Sequence, residues 1–527
     1  METLLVTEPA DFSLPPSRRY GYLEKIRSLS VVSADGSSSS SLPARSSSYY
    51  SSSKSSSASG GSHHRYVPYY YSFRRRVRLE DDGHRDIARQ MVRDGFVVKL
   101  IGEFGQQAPG PVLERWFSEL DVGWVLRSAP EKELAVAGIG LDDLVRRWTR
   151  GFTVMAQALS ATHRHIQEER STLESPAEME FPTAQLAKQD HNTSSVMACE
   201  HDELLQDDDL RLAWFAEATV SKMLAFADAL AAVNTWRPMD KFSGLMDVRI
   251  CITHVSQIII LSLQMKTPEL PDSEKGEMLR LVSKIGNTFL DTKDNLGKAV
   301  REMIQDARAV IPVLSGRDFW EIFPPSAEIH KATQLIMDYA RLFWGYHDEL
   351  DFIRPYRNGV HNIIQQMISN LINQLDKKSE SLSDPSLRYL FLFNNSYFIQ
   401  DEYLAITGYR LPPDSDIDIK YCYYLSCYLN ASWDTVLSCL HHKMPLWFSK
   451  PSPLARFESE FQRTCKHQKL WKVPNTELRK SLRKAIIDKV ITGPTGFRTY
   501  LEAHPEQEIR GSDQQDVEDM VNELFEG

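Results

Sequence analysis

From Asp81 onward the apolar residues recur at helical spacing. Leu141, Val145, Trp148, Phe152, Met155 and Leu159 step alternately by four and three. That spacing lays them on one stripe of a helix, as the seam of a bundle requires. Asp142 stands where an N-cap is expected. Val360, Ile363, Ile364, Met367, Ile368, Leu371 and Leu375 form a second stripe, with polar residues opposite. Ile329, Ala332, Ile336, Tyr339 and Phe343 form a third, one helix earlier. Pro312, Pro324, Pro325, Pro385, Pro412, Pro413, Pro451, Pro453 and Pro474 punctuate these segments and read as helix stops and starts. No set of segments alternates with period two, so no sheet is predicted. No repeat of fixed length is evident, which argues against a regular solenoid. Many amphipathic helices without a repeat imply an all-α fold of stacked, irregular bundles.

Other stretches depart from that pattern. Residues 1–80 are expected to be a disordered tail, because over half of the positions between Ser33 and Ser62 are serine. Such a segment buries too little apolar area to offset its ordering entropy. Within it, Tyr20 to Leu29 predicts a short helix, and Arg65 to Arg78 forms a basic and aromatic end suited to a solvated linker. The acidic segment 171–209 contains Pro176, Pro182 and Asp207-Asp208-Asp209, and predicts a long surface loop. The expected division is therefore a bundle over 81–170, the loop over 171–209, a middle bundle over 210–325 and C-terminal bundles over 326–527. The most apolar stretch, Ile250 to Leu263, is interrupted by His254, Ser256 and Gln257 and is too short to span a bilayer. It predicts a buried helix.

Composition narrows the function classes. The net charge is −10, so the whole molecule should not seek nucleic acid, and any anionic membrane must be met by a local patch. The six cysteines form no CxxC pair, which fits a reducing cytosol rather than a disulfide framework. The N-terminus has neither the basic start nor the apolar run of a signal peptide. There is no glycine-rich phosphate loop, no GxSxG and no HExxH, so no catalytic residue, enzyme activity or cofactor is assigned. Cys439, His441, His442, Cys465 and His467 are zinc-ligand types, but the adjacent histidines diverge on a helix and the spacing matches no common finger. No metal site is assigned there. His163 and His165 lie on different faces of one helix and are expected to face solvent.

A family signature runs through the helical segments. Leu371 to Ile399 reads LINQLDKKSESLSDPSLRYLFLFNNSYFI. It resembles a motif of the seventy-kilodalton subunit of the exocyst vesicle-tethering complex, in its plant branch, through Asp376, Lys377, Asp384, Phe391, Leu392, Asn394 and Asn395. Glu328 to Leu342 is similar to that family's helix with His330, Thr333, Met337 and Tyr339, and Ala332 stands where leucine is usual. Further likenesses follow at Ala431–Leu440 and at Phe457, Phe461, Gln468 and Trp471. Val473-Pro474 and the closing Glu523-Leu524-Phe525-Glu526-Gly527 extend them, and Phe242 to Val255 lies upstream. The resemblance covers about residues 85–527. It implies an elongated rod of helical bundles in the cytoplasm, peripherally associated with the plasma membrane. It also implies exocytosis by vesicle tethering, with contacts to other exocyst subunits, small Rho-type GTPases and phosphoinositides.

Two departures modify what the resemblance implies. The place of the family's N-terminal coiled coil is taken by the serine-rich tract, which predicts weakened or lost assembly with other exocyst subunits. The end of the chain is acidic where relatives carry a basic, aromatic stretch: from Pro505 onward there are eight acids and one base. Carboxylates are repelled by an anionic leaflet, where each lysine or arginine contributes about 1 kcal/mol of attraction. A basic surface remains just upstream, and Lys469, Lys472, Arg479, Lys480, Arg483 and Lys484 are the candidate lipid-binding residues. Arg479 with Arg483, and Lys480 with Lys484, are spaced to share helix faces. The alternative expectation is a divergent adaptor uncoupled from the exocyst, serving a plant receptor or immune protein.

Overall fold

The computed structural model describes residues 21–29, 32–33, 77–78, 81–106, 108–127, 140–174, 193–264, 272–313, 327–350, 359–411, 416–441, 452–505 and 514–526. Among them are sixteen α-helices and one two-residue antiparallel pair, Val32–Ser33 (β1) with Val77–Arg78 (β2), in the register Val32 to Arg78. The all-α expectation holds. The rest of the expected tail, including the serine tract and most of the basic-aromatic end, lies outside the described residues.

The described residues divide into two units, one of those up to Met303 and one of those from Ile304 onward. The division thus falls at 303/304, inside a helix. The segments expected as separate bundles over 81–170 and 210–325 share one unit as far as Met303.

In the first unit the helices are α1 (Tyr22–Ser28), α2 (Asp81–Arg93), α3 (Phe96–Gln106), α4 (Pro109–Glu119), α5 (Leu141–Glu174), α6 (Thr193–Ala232), α7 (Pro238–Gln264) and α8 (Asp272–Val313), the last running into the second unit. The Leu141-to-Leu159 stripe of α5 is buried throughout, with Trp148 and Phe152 fully inside. It packs chiefly on α7 and α2. The Trp148 indole donates to the Met223 carbonyl at 3.1 Å, so its polar atom is satisfied in the core. Gly151 lets α5 approach the turn after α4, because a Cβ there would stand 2.7 Å from the Leu120 carbonyl oxygen. The apolar stretch of α7 is a core element: Cys251, Ile252, Val255, Ile259 and Leu263 are buried.

Three local expectations are corrected in this unit. Asp142 is not an N-cap but lies in the first turn of α5, where it pairs with Arg146 at 2.7 Å. The acidic segment 171–209 is not one loop. Residues 171–174 end α5 and 193–209 belong to α6, leaving only 175–192 outside the described residues. Asp209 anchors that part of α6 by accepting from Arg170 at 3.0 Å and from Gln167 at 3.2 Å. His163 does not face solvent. It is buried 3.8 Å from Asp209, and burial lowers its pKa, whereas His165 is half-buried and pairs with Glu169 at 3.3 Å.

The second unit continues with α9 (Lys331–Gly345), α10 (Gly359–Ser379), α11 (Pro385–Thr407), α12 (Asp416–His441), α13 (Pro453–Gln468), α14 (Thr476–Val490), α15 (Phe497–Ala503) and α16 (Gln514–Asn522). The pair α11–α12 is the most extensive packing in this unit, and α13 lies against α12. The Val360-to-Leu375 stripe of α10 is buried as expected. Ile329 precedes α9 and is only partly buried, because His330 beside it is the N-cap. Gly408 ends α11 in the left-handed region, φ 75°, where its amide donates to the Leu404 carbonyl.

Candidate functional site

Of the six candidate bases, Lys469 and Lys472 sit in the link from α13 to α14 and the other four on α14. Helix α13 begins at Pro453 behind the N-cap Ser452, whose hydroxyl accepts from the Ala455 amide at 3.1 Å. Leu454, Phe457, Phe461 and Cys465 turn inward, and Phe461 meets Trp433 with ring centroids 5.6 Å apart. That orientation leaves Arg463, Lys466 and Lys469 on the exposed side. Helix α14 is capped by Asn475, which accepts from the Leu478 amide at 2.9 Å. Leu478, Leu482, Ile486 and Val490 recur every four residues and are buried. Arg479 and Arg483 therefore flank the buried stripe and are half-buried, while Lys480 and Lys484 point into water.

What meets these bases is the acidic chain end. Phe525 is fully buried and stands edge-on to Tyr428. Its carbonyl accepts from the Val473 amide at 3.2 Å, and Lys472 and Glu526 form an antiparallel bridge. Beyond that anchor the Glu526 carboxylate lies between two guanidiniums. Arg483 donates to it at 2.8 Å and also to the Leu524 carbonyl at 3.1 Å, and Arg479 donates to the other carboxylate oxygen. Lys469 pairs with Glu523 at 3.2 Å and Lys472 with Glu328 at 3.2 Å. Lys480 pairs with Glu477 one turn earlier at 2.9 Å. Lys484 has no ion-pair partner among the described residues. The bases are thus brought together, but on two faces: Arg479 and Arg483 are occupied by the chain end, and Lys480 and Lys484 are open to water. Leu470, 76% exposed, projects from the corner between Lys469 and Lys472.

The residues that carried the sequence signature also meet, in a structural network. Asn395 Oδ1 accepts from the His330 amide at 2.9 Å and the Thr333 hydroxyl at 2.7 Å, and its amide nitrogen donates to the Phe391 carbonyl at 2.8 Å. Asn394 donates to the carbonyls of Ala327 at 2.8 Å and Lys472 at 3.1 Å. His330 Nδ1 accepts from the Ala332 amide at 3.1 Å and so caps α9, and burial lowers its pKa to about 4. Asp384 caps α11 and accepts from His467 at 2.8 Å. Gln468 Oε1 accepts from the buried Tyr428 hydroxyl at 2.7 Å. Motif spacing thus pointed to residues that tie loops 327–330 and 469–475 to α11 and α12. It did not reveal Glu523 and Glu526 as partners of the bases. The signal was there, in eight acids following a basic helix, but charge sign alone says nothing about where a chain end folds back.

The remaining zinc-type residues do not converge. Cys465 is buried, and burial pushes its thiol up to about 12, far from thiolate chemistry at neutral pH. His441 lies within hydrogen-bond distance of the Thr495 carbonyl at 3.0 Å, Cys439 donates to the Thr435 carbonyl, and His467 faces Asp384. His442 lies outside the described residues. Among the described residues no group of three or more His, Cys, Asp or Glu side chains could hold a metal ion.

A family model described as the C-terminal part of the Exo70 exocyst complex subunit matches residues 198–523. Exocyst complex component EXO70B2 of Arabidopsis thaliana is 24% identical over 344 residues, 60% of this chain and 52% of that protein. Exocyst complex component EXO70A1 of the same plant is 24% identical over 352 residues, covering 59% and 51%. The chain therefore spans about half the length of the curated relatives it matches. The crystal structure of the S. cerevisiae exocyst component Exo70p aligns over 85% of this chain and 98% of its own, at 13% identity and a TM-score of 0.36.

Proposed function

The chain belongs to the Exo70 exocyst subunit family, and on that premise we propose that it is a non-catalytic docking subunit of vesicle tethering at the plasma membrane. The family match over residues 198–523 carries this reading. Its partners would be other exocyst subunits and a small Rho-type GTPase, and it would sit in the cytoplasm, held peripherally to the membrane.

Membrane contact in this reading is made by the α13–α14 corner. Lys466, Lys469, Lys480 and Lys484 present exposed ammonium groups, and the exposed Leu470 supplies an apolar side chain among them. That combination suits a phosphoinositide surface, where charge draws the protein in and an apolar residue enters the headgroup boundary. Cosedimentation with phosphatidylcholine vesicles containing phosphatidylinositol 4,5-bisphosphate tests it. Wild type should bind in a salt-sensitive way, and Lys466→Glu/Lys469→Glu/Lys480→Glu/Lys484→Glu should lose that binding. Wild type that stays in the supernatant at low salt removes lipid from the function.

A second reading is favoured by the carboxylates that occupy Arg479 and Arg483. A basic face already half-neutralised suits an adaptor uncoupled from the exocyst, which meets a receptor or immune protein. Affinity purification separates the two. Exocyst subunits recovered in stoichiometric amounts support the tethering subunit, and their absence beside a different stoichiometric partner supports the adaptor.

A further inference from the structure

The basic face of α14 is asymmetric in a way that the membrane-docking reading does not by itself explain. Its lysines face water, Lys480 beside Glu477, while its two arginines are held by Glu526. The Arg479 and Arg483 side chains are 15% and 14% exposed, against 65% for Lys480. Spaced one turn apart, they converge on a single carboxylate, Glu526. Two guanidiniums aimed at one small anion form the geometry that recognises phosphate as readily as carboxylate, because both offer paired oxygens to the planar N–H fork. The carboxylate they hold is far more exposed than either arginine, with the Glu526 side chain 60% exposed. Its backbone is anchored by the buried Phe525 and by the bridge to Lys472, so the Glu526 side chain can turn away without withdrawing Phe525 or Leu524 from the core. Glu523, 69% exposed, covers Lys469 in the same manner from the preceding turn.

We propose that the chain end is a built-in competitor for this site: Glu526 and Glu523 occupy Arg479, Arg483 and Lys469 in place of the phosphate groups of an anionic lipid, and must lift before the protein engages such a surface fully. The inference rests on the membrane-docking reading above and adds its regulation. It assigns the acidic chain end a role other than plain repulsion of the leaflet. The end shields the arginines in cis and sets how much anionic lipid is needed to displace it. Exchange of one carboxylate for one phosphate leaves the guanidiniums satisfied in both states, so switching does not require a buried unpaired charge.

The test compares the full chain with Glu523→Gln/Glu526→Gln, which keeps Leu524 and Phe525 in place. A control, Glu380→Gln/Asp401→Asn, makes the same charge change elsewhere in the unit. Binding is read on phosphatidylcholine vesicles with and without phosphatidylinositol 4,5-bisphosphate. The chain-end variant should bind the phosphoinositide vesicles about tenfold tighter than wild type at low salt, and the control no more than about twofold tighter. Equal affinity of wild type and the chain-end variant, with both binding, overturns the competitor and leaves membrane docking intact. Failure of both to bind removes the docking reading and the inference with it. An equal gain by the control, or a gain on vesicles lacking phosphoinositide, reduces the effect to net charge and overturns the inference. Titration with soluble inositol 1,4,5-trisphosphate provides the last arm: tight binding there without vesicle binding would assign the arginines to a free phosphate instead of a lipid.

Discussion

Each unit holds one carboxylate between two arginines, and the two clusters work in opposite ways. In the first unit Asp121, its side chain 3% exposed, accepts from Arg147 at 3.0 Å and from Arg27 at 2.9 Å. Arg150 completes the group by donating to the carbonyls of Arg27 and Leu29, each at 3.2 Å. The cluster fixes α1, whose Tyr22 and Ile26 are fully buried and whose Tyr22 hydroxyl donates to Asp94 at 2.6 Å. In the second unit Glu526 meets Arg479 and Arg483 with its own side chain 60% exposed. The residue types match, but the water around the acid differs. A buried carboxylate has no replacement partner and is structural, whereas an exposed one exchanges with solvent or another anion at little cost.

The strongest way to break this comparison is to remove the buried acid. Asp121→Ala should destabilise the first unit by about 3 kcal/mol, because it strands Arg147 and unpins Arg27. Asp121 also sits in the left-handed region at φ 62°, where aspartate and asparagine are tolerated better than alanine. Asp121→Asn should therefore lose less than the alanine variant. Urea unfolding followed by circular dichroism measures both, and hydrogen exchange should show α1 opening first. A wild-type midpoint for Asp121→Ala would mean that burial does not distinguish the two clusters.

The second test stays within the second unit and asks whether its interior behaves like Asp121 or like Glu526. His330 caps α9 through Nδ1, which must stay unprotonated to accept from Ala332. Burial, and to a lesser degree the charge of Lys331, depresses its pKa to about 4. The unfolded chain takes up a proton near pH 6.5 and the folded one only near 4. The stability is thus present above pH 6.5 and is lost as pH falls through that window. Between pH 6.5 and 5.5 the loss should be about 1 kcal/mol. His330→Asn, which can still cap, should flatten that slope in thermal melts across the pH series. An unchanged slope would assign it to other groups, and the buried His163 is the first to examine.

Much of the fold was legible because burial follows period. The stripes of α5 and α10 needed only spacing, and Tyr22–Ser28 is the short helix expected near Tyr20. Where local signals failed, a distant partner decided. Aspartates at 207–209 suggested a loop, yet Asp209 is buried on Arg170 and Gln167 of another helix. His163 reads from local pattern as a surface residue but faces that same aspartate. The site was legible as composition and not as pairing. Arg479 and Arg483 could be placed on one helix face from their spacing. That the face is filled depends on Phe525 reaching Tyr428 and on the Val473–Phe525 backbone bond, and neither leaves a mark in local pattern.

Glu526→Gln should change the stability of the second unit by less than about 1 kcal/mol, because an exposed ion pair contributes little and Arg483 keeps its bond to the Leu524 carbonyl. Even that small change should shrink in high salt, since ions screen an exposed pair far more than a buried one. Denaturant melts of wild type and variant at low and high salt give the measurement, with Asp121→Ala as the reference that salt should barely touch. The two clusters then differ on a single axis: one contributes stability that salt does not remove, and the other contributes almost none while controlling access to its arginines. A loss of several kcal/mol in Glu526→Gln would place the chain end with Asp121 as a structural element. It would then be too firmly held for any surface anion to displace.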